Sequence, residues 1–97
     1  MSEMVYLPEV ECVVDVADGL FNTVVVGVPD ETGNRQYLRV RKEAVQPSGG
    51  KQYLPVGVVE LDYKQRRALV ELPTEADSGA RRLWVSFSAF RPRGQTA

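Results

Sequence analysis

A chain of 97 residues with 43% apolar and 26% charged side chains is typical of a single globular domain, spanning 1–97. Its formal net charge of −1 argues against a dedicated nucleic-acid protein, and no apolar run approaches the ~18 residues of a membrane span. One cysteine excludes a disulfide framework. Because Met1-Ser2-Glu3 begins no signal peptide, we expect a cytoplasmic protein.

Charge is unevenly distributed along the chain. Residues 1–34 carry seven acids and no Lys or Arg, whereas the remaining 63 residues carry all twelve bases and six acids. This asymmetry is typical either of acidic strands that lie beside basic strands or of a nucleic-acid surface. We favour neighbouring strands of opposite charge.

The first predicted element is a β-hairpin over residues 9–28. Residues 9–17 alternate between apolar and mainly acidic side chains, which is typical of a half-buried strand. The side chains assigned to its inner face are those of Val10, Cys12, Val14 and Val16. Asp18-Gly19 supplies a turn and residues 23–28 form the return strand. Pro29 ends that strand because proline cannot donate to a sheet ladder.

A third strand follows a polar loop. Residues 36–41 place Leu38 and Val40 on the inner face, and residues 43–45 predict one helical turn that Pro47 stops. Residues 1–8, before the hairpin, are predicted to be a lead-in segment. The three strands therefore form one unit with a single apolar face.

The chain then repeats this order of elements. Residues 38–49 and 83–94 share the template Leu-x-Val-x-x-x-Ala-apolar-x-Pro-x-Gly, and residues 53–61 and 68–72 match the first hairpin. Ten aligned positions are identical: Val14/Val58, Asp18/Asp62, Val26/Val70, Pro29/Pro73, Glu31/Glu75, Leu38/Leu83, Val40/Val85, Ala44/Ala89, Pro47/Pro92 and Gly49/Gly94. We predict tandem repeats over about 9–49 and 53–94, followed by a flexible tail at 93–97.

The two repeats differ in one strand. The apolar phase of the second repeat shifts by one residue at Val58-Val59, directly after Gly57. A glycine beside such a shift indicates a β-bulge, in which an extra residue bends the strand and turns its side chains. A bulge at this position favours a curved sheet.

The architecture predicted from these elements is all-β. Six short strands separated by turn signals, with no long amphipathic helix, favour a small barrel or sandwich. Because a three-strand unit cannot bury its own apolar face, the two units should share one core. We predict a six-stranded barrel with approximate two-fold symmetry. The alternative is a five-stranded barrel of the Src-homology type with an extra arm.

Catalysis and metal binding are not indicated by the sequence. The chain lacks histidine, the commonest general base and metal ligand, and its only cysteine, Cys12, is predicted to be a core thiol. Carboxylates do recur at the predicted hairpin ends, namely at Asp15, Asp18, Glu60 and Asp62. Their spacing does not match a calcium loop, so we predict no metal and no cofactor.

The predicted site is an outer strand face. Because Leu83 and Val85 take the inward phase, Trp84 should point outward, and Trp and Arg are the residue types that dominate binding hot spots. The predicted binding residues are Trp84, Arg82, Arg39, Arg41, Arg66 and Arg67. We expect a non-catalytic module for protein–protein interaction or self-association, with no membrane partner. The alternative is a nucleic-acid-binding barrel that uses Arg, Lys and aromatic side chains.

Overall fold

The protein is all-β in the computed structural model, which describes residues 6–18 and 22–92. The strands are β1 (Tyr6–Asp18), β2 (Thr23–Pro29), β3 (Arg35–Arg41), β4 (Gln46–Ser48), β5 (Lys51–Pro55), β6 (Gly57–Asp62), β7 (Arg67–Glu71), β8 (Arg82–Ser86) and β9 (Phe90–Pro92). Two 3₁₀ turns, Lys42–Ala44 and Phe87–Ala89, are the helical segments of the described chain. Neither has the length or apolarity that crossing a membrane as a helix requires.

The described strands form two antiparallel sheets. One contains six strands, in the order β3-β2-β1-β5-β4 with β9 also paired to β1, and the other has the order β6-β7-β8. No pairing among the described residues closes these sheets into the expected six-stranded barrel. The described chain has nine strands instead of the predicted six. The long strand expected at 53–61 breaks at Val56 into β5 and β6, and the short strands β4 and β9 were not predicted.

Besides its pairing with β9, strand β1 pairs with two other strands along its length. Residues 9–12 pair with β5 and residues 13–18 pair with β2. Val10 and Cys12 are buried, as the alternation predicted, but Val14 is 38% exposed. Val14 lies opposite the buried Val26, and it remains uncovered because this half of β1 is at an edge of the sheet. The predicted inward side chain of Val16 lies outside the described part of the chain.

The two hairpins have corresponding registers. Val14 pairs with Val26 and Val58 pairs with Val70, 44 residues later, and both ladders shift by one residue directly after these pairs. The bulge predicted near Gly57 is therefore confirmed, with Val59 as the extra residue. The bulge in β1 was not predicted, because the apolar alternation continues through it.

Two short strands, β4 and β9, extend the six-stranded sheet. β9 pairs with β1 through Val10–Phe90 and Tyr6–Pro92, and β4 pairs with β5. Residues 6–8 of the predicted lead-in at 1–8 belong to β1. Residues 1–5 and the predicted tail at 93–97 lie outside the described residues.

One hydrophobic core joins the two sheets. Its fully buried side chains include those of Val26, Val28, Leu38, Leu54, Val70, Leu72 and Val85. Leu38 and Val40 in β3, and Leu83 and Val85 in β8, are all buried, as the period-two pattern predicted. The outer faces of β3 and β8 are consequently defined, and these two strands carry four of the six predicted binding residues, Arg39, Arg41, Arg82 and Trp84.

Candidate functional site

The structure divides the six predicted binding residues between the two sheets. Trp84 and Arg82 lie on β8 and Arg67 begins β7, whereas Arg39 and Arg41 lie on β3 in the other sheet, and Arg66 is in the β6–β7 turn. Only Arg67 makes a close contact with Trp84 among these residues: its guanidinium carbon is 4.1 Å from the centroid of the indole ring.

Arg67 also links Trp84 to two carboxylates. Its Nη1 donates to Glu31 at 2.8 Å and its Nε donates to Asp62 at 3.0 Å. The backbone N–H of Glu31 donates to the carbonyl of Trp84 at 2.7 Å, so the β2–β3 loop is tied to β8. The Gln65 backbone N–H, followed by Arg67, lowers the pKa of Asp62, and Asp62 and Glu31 raise the pKa of Arg67. The half-buried indole of Trp84 is therefore part of a set of contacts that joins the β2–β3 loop to the sheet of β6, β7 and β8.

Several other described cations are engaged by carboxylates. The pairs are Arg41–Glu43, Lys51–Glu11, Arg82–Glu71 and Arg91–Glu9. Glu9, Glu11 and Glu31 belong to the purely acidic first part of the chain, and their partners belong to the basic remainder. Acidic residues of the first part of the chain thus form ion pairs with basic residues of the remainder, which accounts for part of the uneven charge distribution.

A second surface feature is an apolar groove beside β6. Its cavity has a volume of about 510 Å³, within the roughly 300–1,000 Å³ of protein ligand sites. The lining residues come from the start of β1, from β6, from the β6–β7 turn and from the second 3₁₀ turn with β9; they are Tyr6, Leu7, Pro8, Val58, Leu61, Tyr63, Arg66, Phe87 and Phe90. We call this feature the β6 groove.

The β6 groove results from an uncovered strand. Val58 and Leu61 lie opposite the buried Val70 and Ala68, so they are on the core-facing side of the sheet. They are nevertheless 44% and 47% exposed. In the described chain β6 pairs with β7 alone, and an edge strand with exposed apolar side chains is a template for association.

Aromatic pairs and backbone bonds fix the rest of the groove. Tyr6 and Phe90 have ring centroids 6.1 Å apart, and Tyr63 packs edge-to-face on Phe87 at 5.7 Å. The Val56 N–H donates to the Pro8 carbonyl at 2.9 Å, which ties the start of β1 to the β5–β6 junction. The groove is therefore held by contacts on several sides.

Among the residues that the structure describes, Arg66 is the only cation that lines the groove. Its backbone φ is +56°, a left-handed conformation that is unfavourable for most side chains. Asn22, 44 residues earlier, has the same φ of +56°, and asparagine is one of the residues that tolerate it. Among the described residues the Arg66 side chain forms no ion pair, so its charge faces the groove rim and solvent.

Cys12 is buried, as predicted, and lies away from this groove. Burial, and then the nearby Glu11, raise the pKa of its thiol to about 11. We therefore expect native Cys12 to react slowly with thiol reagents and fully only after unfolding, because the thiolate is the reactive form. A Val59→Cys variant, which places an exposed thiol at the bulge of β6, should label quickly. Rapid stoichiometric labelling of native Cys12 would contradict the assignment.

The carboxylates considered for a metal do not form a cluster in the described part of the chain. No group of three potential ligands occurs there. Asp62 instead accepts from the Gln65 backbone and from Arg67. Its oxygens therefore stabilise the β6–β7 turn.

Of the groove residues, the sequence prediction included only Arg66 in a binding site. Tyr6, Leu7 and Pro8 had been assigned to a lead-in, and Phe90 to the second repeat without a binding role. The available signal was the run Val58-Val59, where two neighbouring apolar residues occupy opposite phases of an edge strand. Comparison with protein-family models, curated proteins and solved structures finds no match to this chain.

Proposed function

We propose that the chain is a non-catalytic binding module that takes a protein partner in the β6 groove. The observation that carries this proposal is the combination of a 510 Å³ apolar cavity with an edge strand whose Val58 and Leu61 are about half exposed. Contact with a partner would remove this apolar surface from water, and such burial is the main favourable term in protein association.

We also infer that the units β1–β4 and β5–β9 are two copies of one repeat. Their corresponding bulges, the shared φ of Asn22 and Arg66, and the 44-residue separation support this inference. Val10 pairs with Leu54, its equivalent in the second copy, which is the expected pairing at an approximate two-fold axis. In this view the two sheets are halves of a small barrel that is open beside β6.

The two copies differ at the groove. Where the second copy has Leu61, Tyr63 and Phe87, the aligned residues of the first copy are Ala17, Gly19 and Lys42. At these three positions only the second copy has large apolar side chains. If the shared fold required large apolar side chains at these positions, both copies would have them. Their presence in one copy therefore favours a specific role for that copy.

A nucleic-acid partner is less well supported. Single-stranded nucleic acids need a row of cations along the backbone as well as aromatic platforms. Tyr63 and Phe87 supply aromatic surface, but Arg66 is the sole cation among the lining residues. Arg41, Arg67 and Arg82 already contact carboxylates.

The test compares Val58→Lys with Val14→Lys. These aligned valines are 44% and 38% exposed, so they form a matched pair of surface substitutions, one in the groove and one outside it. A partner captured from cells that make the protein is identified, purified and titrated with each variant. We expect Val58→Lys to weaken binding at least about tenfold, because it places a charge in an apolar contact, and Val14→Lys to have little effect.

Two further measurements complete this test. Leu61→Lys should reproduce the loss, and the unfolding temperature of each variant shows whether the fold is intact. Sedimentation at increasing concentration reports self-association; loss of self-association in Val58→Lys alone would identify a second copy as the partner. Equal binding by wild type and Val58→Lys would exclude the groove.

A further inference from the structure

We propose that the β6 groove binds an extended acidic peptide segment, with an apolar side chain in the cavity and a carboxylate at Arg66. This inference rests on the proposed function of the groove and adds the chemistry of the partner. The lining residues are apolar or aromatic apart from Arg66, and no acidic side chain lines the cavity in the described residues. A ligand that complements this surface is apolar with one negative group.

Arg66 provides the first argument. Its side chain lines the groove, forms no ion pair within the described chain and extends from a backbone with φ of +56°. An arginine in a conformation better suited to asparagine or glycine is backbone strain at a surface site, and such strain is a reason to look for a function of that side chain. A carboxylate is the natural partner because guanidinium groups bind it through two parallel hydrogen bonds.

The neighbouring Arg67 differs from Arg66 in that its charge is already paired. Arg67 is half-buried and already pairs with Glu31 and Asp62, so its charge is compensated inside the fold. Lys64, in the same turn, is exposed and adds positive charge to this end of the groove. The β6–β7 turn thus presents uncompensated positive charge on a chain whose net charge is −1.

Strand β6 provides the argument for an extended partner. It pairs with β7 on one side and has no strand partner on the other within the described chain. A peptide in extended conformation adds to such an edge through main-chain hydrogen bonds, and alternate side chains then enter pockets beneath it. Val58 and Leu61, which belong to this edge strand, line the groove.

The test is a selection from a library of short random peptides for binding to the full chain. Peptides that also bind the Val58→Lys variant are removed by counter-selection. Recovered peptides are synthesised and titrated against the wild type, Arg66→Asn and Arg41→Asn. Arg66→Asn removes the charge but suits the left-handed backbone, so its unfolding temperature should be unchanged or higher. Arg41→Asn removes an exposed charge from the other sheet and is the matched control.

We expect the recovered peptides to contain Asp or Glu next to an apolar residue. Arg66→Asn should weaken their binding at least about tenfold, as should replacement of the peptide acid by its amide, because both remove a charge-assisted pair. Arg41→Asn should leave binding unchanged. Backbone amide resonances of β6 should shift on titration more than those of β3.

The other possible outcomes contradict either the pairing of a carboxylate with Arg66 or the groove as the binding site. One such outcome is that the recovered peptides require Val58 for binding but neither Arg66 nor an acidic residue of their own. That result would overturn the proposed pairing of a peptide carboxylate with Arg66, and it would leave the groove as a protein-binding site. A selection without any Val58-dependent peptide would overturn both proposals. Equal losses in Arg66→Asn and Arg41→Asn would indicate non-specific attraction. Tighter, Arg66-dependent binding of an oligothymidylate would favour the nucleic-acid alternative.

Discussion

Replacing Leu38 or Leu83 by alanine is expected to lower the free energy of unfolding by about 2–5 kcal/mol. Leu38 is fully buried on β3, and Leu83 is 7% exposed at the aligned position of β8. Both side chains belong to the core that joins the sheets, so truncation removes apolar contacts and leaves a cavity. Urea unfolding followed by circular dichroism measures the change for each variant.

Leu61→Ala is the matched control for these truncations. The same substitution is made in the same fold, but Leu61 is 47% exposed, so its loss should change the unfolding free energy by less than about 1 kcal/mol. A loss at Leu83 far smaller than the loss at Leu38 would argue against equivalent roles for the two leucines. It would also weaken the inference that the two units are copies of one repeat.

Core positions were predictable because strand geometry imposes a period of two. Leu38, Val40, Leu83 and Val85 each alternate with polar or outward residues, and all four are buried. The bulge at Val59 was predictable for a similar reason, since a local break in alternation is itself visible in the sequence. Local patterns therefore specified which faces point inward and that the protein is all-β.

Pairing between distant strands was not predictable in the same way. β1 leaves β5 and joins β2 near Val13, and nothing in its alternating sequence marks the change of partner. Val14 fits the inward pattern but is exposed because the neighbour that would cover it is missing at the sheet edge. The burial of a strand residue depends on which other strands pack beside it. Those strands can be distant in the sequence, so a local pattern does not reveal them.

The candidate groove was missed for the same physical reason. Tyr6 and Phe90 are 84 residues apart in the sequence, and they meet only because β1 and β9 pair. Residues 6–8 of β1 and the three-residue β9 are each too short for an alternating pattern to identify them as strands from sequence alone. Arg66 was included in the predicted site as a cation, but its strained backbone and its position beside Phe87 follow from the turn geometry.

Trp84→Ala is expected to lower the free energy of unfolding by about 2 kcal/mol. The indole is half-buried, packs beside Leu69 across the β7–β8 ladder and lies under the Arg67 guanidinium. Partial burial of an aromatic ring and a cation–π contact each contribute on the order of 1 kcal/mol at a half-exposed site. Because Trp84 is the single tryptophan, unfolding of the variant must be followed by circular dichroism.

Two companion variants separate packing from charge. Trp84→Phe keeps an aromatic ring under Arg67 and should lose less than Trp84→Ala, and Arg67→Met removes the charge but keeps most of the aliphatic stem. In a double-mutant cycle, Trp84→Ala and Arg67→Met should be coupled by about 0.5–1 kcal/mol, since the two side chains are in contact. If Trp84→Ala instead preserves stability and abolishes partner binding, the outer face of β8 is the binding surface, as the sequence prediction held, and the β6 groove is not.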